Sequence, residues 1–366
     1  MAKKDSPFGV KARRRALTRY FQGKELRPDN AWEHVYRLLL SVERRTRLAH
    51  VYDANHMQPG GNFHARAFRF TSLLCKRWGI RQKELPEHVD FMFQRCVEGY
   101  LAEKAEAATA AAQQAIAAVL DEADGDEGEE ETKSEFLVDI AGLLSDRLGT
   151  HDPNALADLA IEIERRAEHY FTIERKRQNV RGEGFEDTLE WLLLRMTGLS
   201  ADQVRVRQRA SDLPGFKPEL RTEGKSRDKI PKPDVALTTP DGTITLWLVT
   251  AKWSLRQDRL DQFGQEAAYY KANTIQGQSI DFVLITNEMD VARLRDVLTP
   301  PEGPGGFHFQ RVYHLNCDLL IETHGDKFKL DSFRESGRLL SMEDFFAHAA
   351  QQVSPSALTP RTPRRG

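Results

Sequence analysis

The tightest constraint on the fold lies between Pro233 and Lys252. Asp234 to Thr239 and Thr243 to Lys252 are strand-forming runs separated by Pro240-Asp241-Gly242. Pro presets one turn angle, and Asp and Gly tolerate the others, so the two runs are expected to pair as a β-hairpin. Side chains two apart on a strand share a face. Ile244, Leu246, Leu248, Thr250 and Lys252 therefore point one way, and Thr245, Trp247, Val249 and Ala251 the other. Pairing in that register brings Asp234, at the head of the first strand, to the Lys252 end of the second.

Beyond the hairpin, helix and strand patterns alternate. Gln257 to Lys271 has helical spacing, and Ile280 to Thr286 is a short, nearly continuous apolar run typical of a buried central strand. Val291 to Leu298 reads as a helix, Gln310 to Leu315 as a strand and Met342 to Gln351 as a last helix, with a Pro/Gly loop from Pro300 to Gly306. The expected fold is α/β, a mixed sheet flanked by helices on both faces.

Upstream the patterns are helical. Helices are expected over Lys11 to Phe21, through Trp32 to Val42 behind a cap at Asp29 or Asn30, and over His64 to Trp78. Gly79 then turns the chain, and Pro86 opens a helix that ends near Leu120. Further helices are expected over Phe136 to Leu148, Ala155 to Lys176 and Gly184 to Gly198. Asp121 to Glu131 is built only from Asp, Glu, Gly and Ala, a composition that cannot bury a core. The expected partition is an all-α domain over 1–120, an acidic flexible linker over 121–133, the α/β domain over 134–352, and a disordered basic tail over 353–366.

Composition narrows the class without naming it. Hydrophobic content of 40% and charged content of 30% fit a soluble protein, and no apolar run is long enough to cross a membrane. Cys75, Cys96 and Cys317 lack Cys-x-x-Cys spacing, and Met1 to Pro7 lacks the apolar core of a secretory signal. Reduced thiols in a cytoplasmic protein are the expectation. The net charge of −2 conceals basic stretches at Lys3 to Arg47 and Pro360 to Arg365, so nucleic acid remains a candidate partner. Lys76, Arg77, Arg81 and Lys83 around the Gly79 turn invite a helix-turn-helix reading, although basic helix hairpins are far commoner than DNA readers. His56 and His64 lack further ligands at metal spacing and read as surface or packing residues.

The chemistry gathers around the hairpin. A metal-dependent phosphodiesterase needs hard oxygen ligands for Mg²⁺ and a cation near the attacking water or the scissile phosphate. Asp234 and Lys252 supply one of each. Thr250 stands two residues before the lysine and carries no charge, so another acid must complete the set. Glu266 meets that need: it lies on the helix after Lys252, and it shares a helical face with Arg259 seven residues earlier. Otherwise it is an exposed helical Glu. Glu186, Asp187 and Glu190 fall in the first turn of the helix expected from Gly184, where the helix dipole favours acids; Glu186 can alternatively reach the site. Arg256, Asp258 and Arg259 suit base edges, since Arg donates twice to guanine and Asp accepts from cytosine. The plainer alternative is a salt-bridge network at a helix start.

Pro233-Asp234, Thr250-Ala251-Lys252, Arg256-Gln257-Asp258-Arg259 and Glu266, taken together, resemble the CCGG group of Type II restriction endonucleases. That group, which includes BsaWI, AgeI and NgoMIV, belongs to the PD-(D/E)xK nucleases. The resemblance spans roughly Gly184 to His314 and does not extend in detail to the N-terminal helices. It implies a PD-(D/E)xK mixed sheet, with Asp234 and Glu266 as metal ligands, Thr250 in the vacated acid position, Lys252 catalytic and Glu186 an additional acid. It also implies Arg256, Asp258 and Arg259 as readers of a CCGG core, Mg²⁺ as cofactor, and cutting that leaves 5′ overhangs. The expected partners are double-stranded DNA and further copies of the chain, as a homodimer or larger symmetric oligomer, because a twofold axis reads a palindrome. A cognate DNA methyltransferase in a prokaryotic cytoplasm completes the expectation, and DNA contact or oligomerisation is the expected role of residues 1–120. Two alternatives remain at this level: a non-catalytic DNA-binding protein on a decayed nuclease fold, and a structure-selective repair or recombination nuclease.

Overall fold

The hairpin forms, and a mixed six-stranded sheet grows from it in the order β1-β2-β3-β4-β5-β6. The computed structural model describes residues 6–43, 45–52, 54–121, 153–217, 230–275, 278–299, 309–325 and 329–353. Along the chain these residues form α1 (Val10–Phe21), α2 (Ala31–Leu39), α3 (His64–Trp78), α4 (Leu85–His88), α5 (Phe91–Asp121) and α6 (Pro153–Met196). Then come β1 (Val204–Val206), β2 (Val235–Thr238), β3 (Thr245–Lys252), α7 (Gln257–Asn273), β4 (Asp281–Thr286) and α8 (Val291–Leu298). The chain closes with β5 (Arg311–His314), α9 (Cys317–His324), α10 (Leu330–Glu335), β6 (Leu339–Ser341) and α11 (Met342–Val353).

β1, β2 and β3 pair antiparallel. β3, β4, β5 and β6 pair parallel, each joined to the next through helix. In the turn between β2 and β3, Gly242 takes φ 69°, and the Asp241 carboxylate accepts from the backbone N–H of Thr243 at 3.2 Å. The register pairs Val235 with Val249, which leaves Asp234 level with the end of β3.

Both sheet faces are covered, which explains why β4 is apolar on each. On one face Trp247 meets Tyr313 and, from α11, Phe345 at ring separations of 6.1 and 5.9 Å. On the other, Phe282, the β4 partner of Leu248, stacks on Tyr270 of α7 at 5.3 Å. Thr250 and Lys252 share that second face with Leu248, so α7 lies on the lysine's side of the sheet. Val283, Leu284 and Ile285 are fully buried, each contributing about 1.5–3 kcal/mol.

The chain's two compact units do not follow the partition expected at the acidic block. One comprises Met1–Ala12 with Gln94–Val180, the other Arg13–Phe93 with Arg181–Gly366. Most of the N-terminal helices thus fold with the sheet. The reason lies in their apolar faces: Phe21 of α1 stacks on Trp191 of α6 at 3.9 Å, and Tyr36 of α2 meets Trp253 at 6.3 Å. The Tyr36 hydroxyl also donates to Asn287 Oδ1 at 2.7 Å. In the other unit, Phe8 meets Tyr100 at 5.6 Å. The expected linker beyond Asp121, the helix over 136–148, the 300–306 loop and the basic tail lie outside the described residues.

Three helical expectations change. The helix opened by Pro86 stops after one turn, because Asp90 adopts φ 63°, and α5 begins anew at Phe91. The helices expected over Ala155 to Lys176 and Gly184 to Gly198 are one continuous α6. Glu186 and Asp187 are therefore mid-helix, and no helix N-terminus accounts for them. The basic turn after α3 does not lead into a reading helix: α4 is a single turn, Arg77 pairs with Glu322, and Arg81 pairs with Glu84. All three cysteines are free and buried. Among the described residues no helix is long and apolar enough to cross a membrane.

Candidate active site

Asp234 enters the site from the residue before β2, and Lys252 from the last residue of β3. The register that buries Val235 against Val249 carries the two side chains to one end of the paired strands. Asp234 Oδ2 accepts from Lys252 Nζ at 2.6 Å and from the Ala251 backbone N–H at 2.7 Å. The two side chains are 13% and 27% exposed, sheltered enough to hold a geometry and open enough to meet a ligand.

Glu186 reaches the same place from α6. Its carboxyl is pushed up to about 7, first by burial and then by the negative charge of Asp234; Arg207 and Lys252 act in the opposite direction. A carboxyl whose proton affinity is raised by a neighbouring carboxylate marks a setting in which a cation is favoured. Thr250, two residues before the lysine, is buried.

Arg207, just past β1, was not foreseen from the sequence, and it organises this site. Its Nε donates to Glu186 Oε2 at 2.5 Å, and its Nη1 pairs with Asp187 Oδ1 at 2.9 Å. Its backbone N–H donates to the Asp234 carbonyl at 3.1 Å. One residue therefore ties the acid of α6 to the acid at the head of β2. It does so with φ at 55°, a conformation a non-glycine residue adopts only where its surroundings impose it. Asp187 is in turn held by Arg13 of α1, whose Nε donates to Oδ2 at 2.5 Å, while a second Arg13 nitrogen meets Glu183 at 2.7 Å. Arg13 and Asp187 are almost wholly buried.

Glu266 lies on α7, one turn before Tyr270, and is partly exposed. Burial raises the proton affinity of the Tyr270 hydroxyl, and the charges of Glu266 and Asp234 raise it further. Glu266 shares a helical face with Tyr270, whose ring stacks on Phe282 of the sheet. Arg256 is exposed and precedes the first turn of α7. Asp258 and Arg259 occupy that first turn, and their side chains lie outside the described set. Among the described residues no group of three or more His, Cys, Asp or Glu is placed to hold a metal ion.

Comparison with known proteins adds little. No family model matches this chain, and no curated protein matches it. Among solved structures, a complex described as the restriction endonuclease PspGI with substrate DNA matches at 17% identity and a TM-score of 0.34. The match covers 62% of this chain and 84% of that one. At that TM-score the likeness carries no weight, and the reading of the site rests on the residues above.

Proposed function

We propose that the chain is a Mg²⁺-dependent, sequence-specific double-strand DNA endonuclease of the Type II restriction class. In this reading a symmetric dimer or larger oligomer cuts a palindrome with a CCGG core and leaves 5′ overhangs. The observation that carries it is the Asp234–Lys252 pair at 2.6 Å, formed where β2 begins and β3 ends, beside Glu186. Carboxylate oxygens beside a lysine ammonium supply the hard ligands and the cation that metal-dependent phosphodiester hydrolysis requires.

The donor set suits a divalent cation of modest demands. Mg²⁺ keeps several waters and is commonly held by one or two carboxylates together with substrate phosphate, so three clustered protein ligands are not required. Asp234 and Glu266 would hold it, with Glu186 in support. When bound, Mg²⁺ supplies Lewis-acid polarisation of the phosphate and a more acidic water. The chain's own residues do the rest. Asp234 fixes the Lys252 ammonium, and the ammonium offsets charge that develops on the phosphate oxygens. Glu186 changes protonation near neutrality. Arg256, Asp258 and Arg259 read G·C pairs in the major groove.

A second reading draws on Thr250, which leaves the hairpin one acid short: a DNA-binding protein that no longer cuts. A labelled duplex bearing a single CCGG site separates the two. Cleavage is expected with Mg²⁺, none with EDTA, and a fall of about 10³-fold or more for Lys252→Ala with DNA affinity retained within a few-fold. Binding without any Mg²⁺-dependent cleavage would favour the second reading.

A further inference from the structure

Between the lysine and the proposed base-reading residues runs a short turn, Trp253-Ser254-Leu255, and its anchors come from elsewhere in the fold. The Trp253 ring is held edge-on by Phe185 of α6 at 5.8 Å, and its carbonyl accepts from the Asn287 N–H at 3.2 Å. The Leu255 side chain is wholly buried, and its backbone N–H donates to Glu288 Oε2 at 2.5 Å. The other Glu288 oxygen accepts from the Asp290 N–H at 2.7 Å. Glu288 is 2% exposed, so this carboxylate has been taken out of water to bind two backbone amides. Burial pushes it up to about 7. Holding such a group ionised or half-ionised is costly, and a buried carboxylate of this kind commonly has a defined task.

The loop that carries Glu288 is itself fastened down. His314 Nδ1 accepts from the Asn316 N–H, which leaves Nε2 as the protonated nitrogen, and Nε2 donates to the Glu288 carbonyl at 3.1 Å. Tyr52 donates to the Met289 carbonyl at 2.8 Å, and His324 Nε2 lies 2.8 Å from the same oxygen. The turn after Lys252 is therefore held in part by the loop at the end of the neighbouring strand β4.

We propose that Glu288 is a positioning residue for DNA recognition: its carboxylate fixes the turn that delivers Arg256 and the first turn of α7 relative to Lys252. The inference rests on the endonuclease reading, and it goes further in assigning site selectivity to a side chain that touches neither metal nor DNA.

Two variants test it. Glu288→Met keeps roughly the length and removes both acceptors; Glu288→Gln keeps one and is the milder change should the first fail to fold. Amide exchange at Leu255 is expected to quicken about tenfold or more in Glu288→Met and less in Glu288→Gln, with Leu284 in β4 as the unchanged internal control. KM for a CCGG duplex is expected to rise about tenfold while kcat at saturation stays near that of the parent, a split that simple loss of folded protein does not produce. Unchanged exchange at Leu255 overturns the inference whether or not the protein cuts DNA. So does faster exchange with an unaltered KM. A parent protein indifferent to CCGG would instead overturn the endonuclease reading, and the selectivity assigned to Glu288 would fall with it.

Discussion

At Asp234 one carboxylate oxygen takes two donors, the Lys252 ammonium and the Ala251 amide, and the site's electrostatics follow from that arrangement. Burial first, and then the neighbouring Asp234, push the Glu186 carboxyl up to about 7. The direction of the pH dependence follows. Below about 7 Glu186 is largely protonated and competes poorly for a divalent cation; above it the charge is available. Cleavage at limiting Mg²⁺ is accordingly expected to rise between about pH 6 and pH 8, and Glu186→Gln to lose that acid limb. A rate that falls over the same interval in the parent, or an identical limb in the variant, would count against the assignment. The meeting of Asp234 and Lys252 was legible in the sequence because strand periodicity and one turn fix where both go; the mid-helix setting of Glu186 was not. Arg207 was not legible. Its role depends on β1 lying beside β2, and its left-handed backbone carries no glycine to mark it.

Among the elements, α6 joins parts of the chain far apart in sequence. Read from the sequence it breaks into separate helices, and its acids at 186 and 187 look like dipole-favoured residues of a first turn. As one continuous helix it presents Asp187 to two guanidiniums, Arg13 from α1 and Arg207 from the end of β1. A buried ion pair contributes little when whole and costs much when halved. Asp187→Ala is therefore expected to destabilise the protein by about 3 kcal/mol or more, measured by urea denaturation, since it removes a buried acid that pairs with both Arg13 and Arg207. A loss below about 1 kcal/mol would show that Arg13 finds water or another acid. The strands and α7 were legible from periodicity and turn chemistry, β4 and α8 almost to the residue. The helical breaks were less so: Asp90 gives little sequence warning of a left-handed conformation, and α6 runs unbroken through Gly182 and Gly184, which read in the sequence as a stop.

For the molecule as a whole, composition and packing divide the chain differently. The acidic block at 121–131 marks a change in charge, and charge runs report on solvation rather than on tertiary partners. Residues 13–93 join the sheet because Phe21, Tyr36 and Tyr52 find aromatic and polar partners on α6 and on the loops after β3 and β4. If the chain reads a palindrome, two copies must share it. Sedimentation with a duplex carrying one CCGG site is expected to give at least two chains per duplex; a single chain per duplex would contradict twofold reading. The central claim, that the site holding Asp234, Lys252 and Glu186 hydrolyses DNA at a defined sequence, meets its most direct test in sequencing the ends of a plasmid digested with Mg²⁺. The account predicts discrete fragments whose ends fall at CCGG with 5′ overhangs, absent with EDTA and with Lys252→Ala. Intact plasmid, or ends scattered without regard to sequence and undiminished by Lys252→Ala, would contradict it.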